Sequence, residues 1–172
     1  RRWAAAPDAV EGRDGPGDVH LRGRAATPEA VLAEMKDATE VELHTHGLSG
    51  AVSDAAFLAL SPDAAGRYAL TAEDLEGQTL QGAPVVMLAA CDANVGACAT
   101  TRCEPAAALI QAGPAVVAPS TEVPDVEAGA FFQALQDSLR RGTPPAQALR
   151  DTRARWLQQG SARWVQDLVA FE

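Results

Sequence analysis

Long apolar runs are missing from this sequence. No stretch approaches the ~20 residues that a helix needs to cross a bilayer. The opening R-R-W-A-A-A-P is too short for the apolar region of a secretory signal. Basic residues are also few: 14 Lys and Arg stand against 23 Asp and Glu, a net charge of −9. That balance argues against nucleic acid or an anionic membrane as partner, since both reward a basic patch. It would instead steer a cationic partner or substrate segment favourably. Cysteine is sparse and odd in number, with Cys91, Cys98 and Cys103. An odd set builds no disulfide framework and favours a reducing, cytoplasmic setting. There is no initiator methionine, which suggests a piece of a longer chain, and no internal repeat or low-complexity tract.

What is present is the composition of a folded domain. With 172 residues, 47% hydrophobic and 22% charged, one core can form that buries roughly two-thirds of the unfolded surface. Residues 1–18, rich in Pro, Gly and acids, read as a tail or linker; residues 19–172 read as the domain. V-H-L-R (19–22) has the look of a short edge strand. Thr27 and Pro28 announce a helix start. V-E-L-H-T (41–45) alternates as a strand and runs into an expected tight turn at His46-Gly47. Segments 55–60 and 67–70 bracket the turn S-P-D-A-A-G, a hairpin signature. Thr71 and Asp74 have capping-box spacing before one helical turn.

Val85 to Cys91 is a continuous apolar strand. Residues 104–112 suggest a helix stopped by Gly113-Pro114, and 115–118 another buried strand. Residues 126–140 and 145–157 are amphipathic helices with Leu135, Leu139, Ala148 and Leu149 inward. W-V-Q-D-L-V-A-F (164–171) is either a closing strand or a helix end. Strands bounded by helices, with unbroken apolar runs, indicate an α/β sheet covered on both faces. Trp3, Trp156 and Trp164 suit core or tail packing rather than stacking on bases.

In such sheets reactive groups gather beyond the carboxyl ends of strands. Two strand ends carry candidates: T-H-G, with His46 and Gly47, and A-A-C-D, with Cys91. Taken singly, a cysteine ending an apolar strand is most often a small buried hydrophobe. Paired with a histidine it gains another reading. The thiolate is the attacking species, and a neighbouring imidazole can stabilise it and then protonate a leaving amine. A glycine amide beside the histidine can join the Cys91 amide in stabilising an oxyanion. The histidine precedes the cysteine by 45 residues, similar to the caspase spacing of about 50.

Seven segments occur in the order seen in CHAT domains: 21–31, L-H-T-H-G (43–47), 58–75, V-V-M-L-A-A-C-D (85–92), 106–118, V-P-D (123–125) and 131–150. The aromatic closing segment is similar as well. The chain thus resembles, over residues 19–171, the caspase-like cysteine peptidases of the clan that holds caspases and separase. The resemblance implies a caspase-like α/β fold with a mostly parallel sheet. It implies a His46–Cys91 dyad, an oxyanion site using Gly47, and no metal or organic cofactor. The expected activity is endopeptidase cleavage of a partner protein, in bacterial defence or regulated cell death, with sensor or repeat domains in the full-length chain or a separate activator. The alternative is a catalytically silent protein-binding module on the same fold.

This sequence departs from the family pattern at His44 and at Thr121, where a small residue and a tryptophan are usual. Asp92, Glu122 and Asp125 are candidates to line the substrate pocket and select Arg or Lys. Asp125 also suits a helix cap, and the role of Asp92 is open. His44 lies on the same strand face as His46 and suits a hydrogen-bonded structural histidine. With the cysteines it resembles a metal set, but C-x6-C-x4-C lacks the close pairing of structural zinc sites. Arg102, in the loop between Cys98 and Cys103, is a candidate point for self-processing.

Overall fold

Thr27 opens the first helix by the chemistry it carries. Its hydroxyl accepts the Ala30 amide at 3.3 Å, and Pro28 takes the first helical position, where a missing N–H costs nothing. The computed structural model describes residues 17–49, 56–76, 78–82, 85–91, 108–110, 112, 115–119, 125–160 and 163–171. The strands are β1 (Glu40–Ser49), β2 (Ala56–Ala59), β3 (Ala69–Thr71), β4 (Val85–Cys91), β5 (Ala115–Pro119) and β6 (Leu168–Phe171). The helices are α1 (Pro28–Met35), α2 (Ala72–Leu75), α3 (Asp125–Arg140) and α4 (Pro145–Gln158). Residues 108–110 are also helical.

The strands form one sheet in the order β3-β2-β1-β4-β5-β6. Its centre, β1-β4-β5, is parallel, while β2, β3 and β6 join antiparallel at the flanks. The expected α/β sheet is therefore present, with its parallel part confined to the middle. A strand between two parallel neighbours is covered on both faces, which is why β4 can be apolar throughout. Alternation divides its side chains. Val86 and Leu88 pack with Leu43, Val116 and the α1 residues Val31 and Met35. Met87 packs on the other face with Val117, Phe131 and Phe132 of α3, and Ala148 and Leu149 of α4. Of the four inward positions read from the helical pattern, Leu135, Ala148 and Leu149 are buried, and Leu139 packs part-buried on the same cluster.

Phe131 is the hub of that second layer. Phe132, Trp156 and Trp164 meet it edge-on at centroid distances of 5.8, 5.4 and 5.2 Å. Two of the tryptophans are thus packing residues, as expected; Trp3 lies outside the described residues. Arg153 of α4 closes this layer by donating from Nε to the Val165 carbonyl at 2.8 Å and from Nη2 to the Leu168 carbonyl.

The hairpin between β2 and β3 is held by one carboxylate. Asp63 Oδ1 accepts the Ala65 and Arg67 amides, each at 2.9 Å, and Arg67 bridges Asp63 to Asp74. Asp74 in turn completes the capping box with Thr71 that opens α2. The Arg67 amide, foremost among these donors, holds the Asp63 carboxyl below the usual carboxylate range. A lowered pKa stabilises the fold above the ordinary carboxylate range, and the contribution vanishes as pH falls through the lowered value. Acidification is therefore expected to weaken the hold on the Arg67 amide, and Asp63→Ala, which removes the acceptor, to free it already at neutral pH. Hydrogen exchange at that amide measures both.

Several local expectations change. Residues 19–22 form no strand: the segment takes no place in the six-stranded sheet, and Leu21 packs instead against the core on the α1 side. His46-Gly47 is no turn, because β1 runs on to Ser49 and Gly47 pairs with Leu58 of β2. The partner strand holds the chain extended there. The closing segment is both of its alternatives in succession, a 3-10 helix at Arg163–Asp167 and then β6. Of the helix expected at 104–112, residues 104–107 and 111 lie outside the described residues.

A glycine with ordinary φ still has a packing task. A Cβ at Gly82 would lie 2.1 Å from the Ala38 carbonyl oxygen, backbone against backbone. The neighbouring Gln81 amide already donates to Lys36 at 2.9 Å, so the two turns cannot simply separate. Gly82→Ala is expected to cost about 1–3 kcal/mol, the usual range for overpacking, read as a lowered denaturation midpoint. Among the described residues no helix is long and apolar enough to cross a membrane.

Candidate active site

The two central strands bring the two reactive candidates into register. β1 and β4 pair in parallel from Glu40 opposite Val85 to His46 opposite Cys91. Cys91 is the last residue of β4, and His46 stands near the carboxyl end of β1. Opposite positions on neighbouring strands are separated by only ~4.8 Å. The two candidates, 45 residues apart in sequence, are adjacent in the sheet.

Strand alternation puts positions 42, 44 and 46 on one face. His44 identifies that face, because its ring meets Phe132 of α3 edge-on at 6.2 Å. On β4, position 91 is in phase with Met87 and Ala89, which pack with the same helical layer. Both candidate positions therefore belong to the face covered by α3 and α4. His46 is exposed to solvent, and Gly47 is buried. The Thr45 hydroxyl, on the opposite phase, donates to the Ala59 carbonyl and ties this end of β1 to β2.

The row on β1 is polar throughout: Glu40, Glu42, His44, His46. At its start, Arg140 donates to Glu40 at 3.4 Å and to Asp18 at 3.3 Å. Partial burial works against the arginine's charge, but the two carboxylates outweigh it and raise its pKa above the ordinary value. Arg140 at the end of α3 meets the start of β1, while Phe132 meets His44 further along. α3 therefore runs antiparallel to β1, and its first residue, Asp125, lies toward the edge of the sheet that carries His46. In the middle of the row, His44 Nε2 and Glu42 Oε1 are 2.5 Å apart. This is the hydrogen-bonded histidine the sequence suggested. Its partner went unread there, although the alternation E-x-E-x-H-x-H contained it.

Of the pocket candidates, Asp125 begins α3, whereas Asp92 and Glu122 lie outside the described residues. So do Arg102, Thr121, Cys98 and Cys103. Among the described residues no three His, Cys, Asp or Glu side chains gather in a metal-binding group.

No curated protein matches this chain. The CHAT domain family matches residues 2–167, a span that contains both strand ends, their register and the helices behind them. The chain belongs to the CHAT domain family, and through it to the caspase-like cysteine peptidase clan.

Proposed function

We propose that this domain is a cysteine endopeptidase with His46 and Cys91 as its dyad. The observation that carries the reading is the register of His46 with Cys91 at the carboxyl ends of neighbouring parallel strands. The Cys91 thiolate attacks the scissile carbonyl carbon, and the carbonyl π electrons move to oxygen. The amides of Gly47 and Cys91 stabilise that oxyanion. As the tetrahedral species collapses, the C–N bond breaks and His46 protonates the departing amine. Water, deprotonated by His46, then attacks the thioester; the acid product leaves and the thiol is restored. No step calls for a metal or an organic cofactor.

The substrate we assign is a partner protein, in bacterial defence or regulated cell death, cut in the cytoplasm under control of a sensor or repeat domain. Asp92, Glu122 and Asp125 are assigned to the pocket, where acids would select Arg or Lys. The test is covalent labelling with an electrophilic peptide probe, on the isolated chain and on the full-length protein. Peptide mapping should place the adduct on Cys91, and an Arg or Lys probe should outpace an Asp probe. An unlabelled Cys91 in both settings would reject the peptidase and leave a protein-binding module on the same fold.

A further inference from the structure

Residues 18–26 are tied to the domain by two unlike ends. At the far end the Ser61 hydroxyl donates to the Gly23 carbonyl at 2.7 Å, and the Ser61 amide donates to the Ala26 carbonyl at 2.9 Å. Between the ends Leu21 packs, part-buried, on the core it shares with α1. At the near end Arg140, the last residue of α3, donates from Nη2 to Asp18 Oδ2 at 3.3 Å.

The near end is loosely made. Bonds between an arginine and a carboxylate usually span about 2.7–2.9 Å. Arg140 instead divides its guanidinium between Asp18 at 3.3 Å and Glu40 Oε2, reached from Nε, at 3.4 Å. The second Glu40 oxygen, Oε1, is buried without a hydrogen-bond partner among the described residues, which costs free energy. Nε and Nη2 lie on one edge of the guanidinium, an edge that can grip both oxygens of a single carboxylate. If Asp18 leaves, that edge can turn onto Glu40 and satisfy both of its oxygens. We propose that Arg140 is a partner-exchange latch: it holds residues 17–22 at the base of α3 by gripping Asp18, and releases them by closing on both oxygens of Glu40.

The two states have opposing advantages. Holding keeps the Asp18 pair and the part-burial of Leu21, which removes apolar surface from water. Release gives Glu40 its second hydrogen bond and restores the backbone freedom of residues 17–22. The Ser61 contacts lie beyond the latch and persist in both states, so the segment opens as a local unit. Glu40 begins β1, at the end of that strand away from His46, and the inference stands apart from the peptidase reading.

The experiment reads the order of this segment in solution, from heteronuclear NOE values of the backbone amides of residues 18–22. Native values should lie between those of α1 and those of a free chain. Arg140→Gln, which removes the latch, should lower them to free-chain values, and Asp18→Asn should lower them part of the way. Glu40→Gln decides the mechanism. In the latch Glu40 competes with Asp18 for one guanidinium, so a neutral side chain should raise the values toward those of α1. A static brace, in which Glu40 merely positions Arg140 for Asp18, gives a fall instead. Hydrogen exchange at the Ser61 amide should stay slow in every variant. A fall or no change in Glu40→Gln overturns the inference, as do native values equal to those of α1 or unchanged values in Arg140→Gln. Loss of Ser61 protection in Arg140→Gln also overturns it, since the segment would then open as a whole.

Discussion

Replacing Cys91 by alanine is expected to lower peptide cleavage to background, and His46→Ala to lower it by about 10²–10⁴-fold, the usual weight of general acid–base catalysis. The two effects differ for a physical reason. Alanine at 91 offers no atom able to form a thioester, so the covalent route closes. Alanine at 46 leaves the thiol, a few per cent of which is ionised at neutral pH, but removes the proton donor for the leaving amine. Because both residues act in one sequence of steps, the double variant should be no slower than Cys91→Ala alone. Cleavage of a peptide library followed by product sequencing measures all three. Unchanged cleavage in His46→Ala would remove the histidine from the mechanism. His46 is exposed to solvent and cysteine differs from alanine by one atom, so neither substitution removes a large core side chain, and the melting midpoints should change little.

The largest loss of stability is expected at Phe131. It is fully buried on α3 and meets Phe132, Trp156 and Trp164, drawn from α3 itself, α4 and the 3-10 helix before β6. Phe131→Ala should cost about 3–5 kcal/mol, the range for removing a buried phenyl ring and leaving a cavity. The surrounding rings are too rigid to collapse into the space, which favours the upper part of that range. Trp156 and Trp164 both touch the lost ring, so tryptophan fluorescence follows the unfolding directly. Phe131→Leu should recover more than half of the loss, because it refills most of the volume. A cost below about 1 kcal/mol for Phe131→Ala would mean that the cluster does not hold α3, α4 and the closing segment together.

Legibility was greatest where a signal is local. The Thr27 cap, the Thr71–Asp74 capping box, the hairpin at 61–66 and the inward faces of α3 and α4 each follow from a few neighbouring residues and their torsional or hydrogen-bonding preferences. The same local logic failed at His46-Gly47, where glycine suggested a turn. Pairing with β2 overrides that preference, since backbone hydrogen bonds to a partner strand outweigh the small cost of glycine in a strand. It failed also at V-H-L-R, whose strand-like pattern takes no place in the sheet.

The sequence by itself determined the class of fold, the apolar strand ending at Cys91, and the choice of His46 and Cys91 as candidates. These depend on composition, period and residue chemistry, all of which are written along the chain. Only the tertiary structure decided that β1 and β4 are parallel neighbours, that His46 and Cys91 share a register, and that Glu42 holds His44 beside them. Strand order and register arise from the competition of many long-range pairings for one core. No local pattern contains the outcome of that competition.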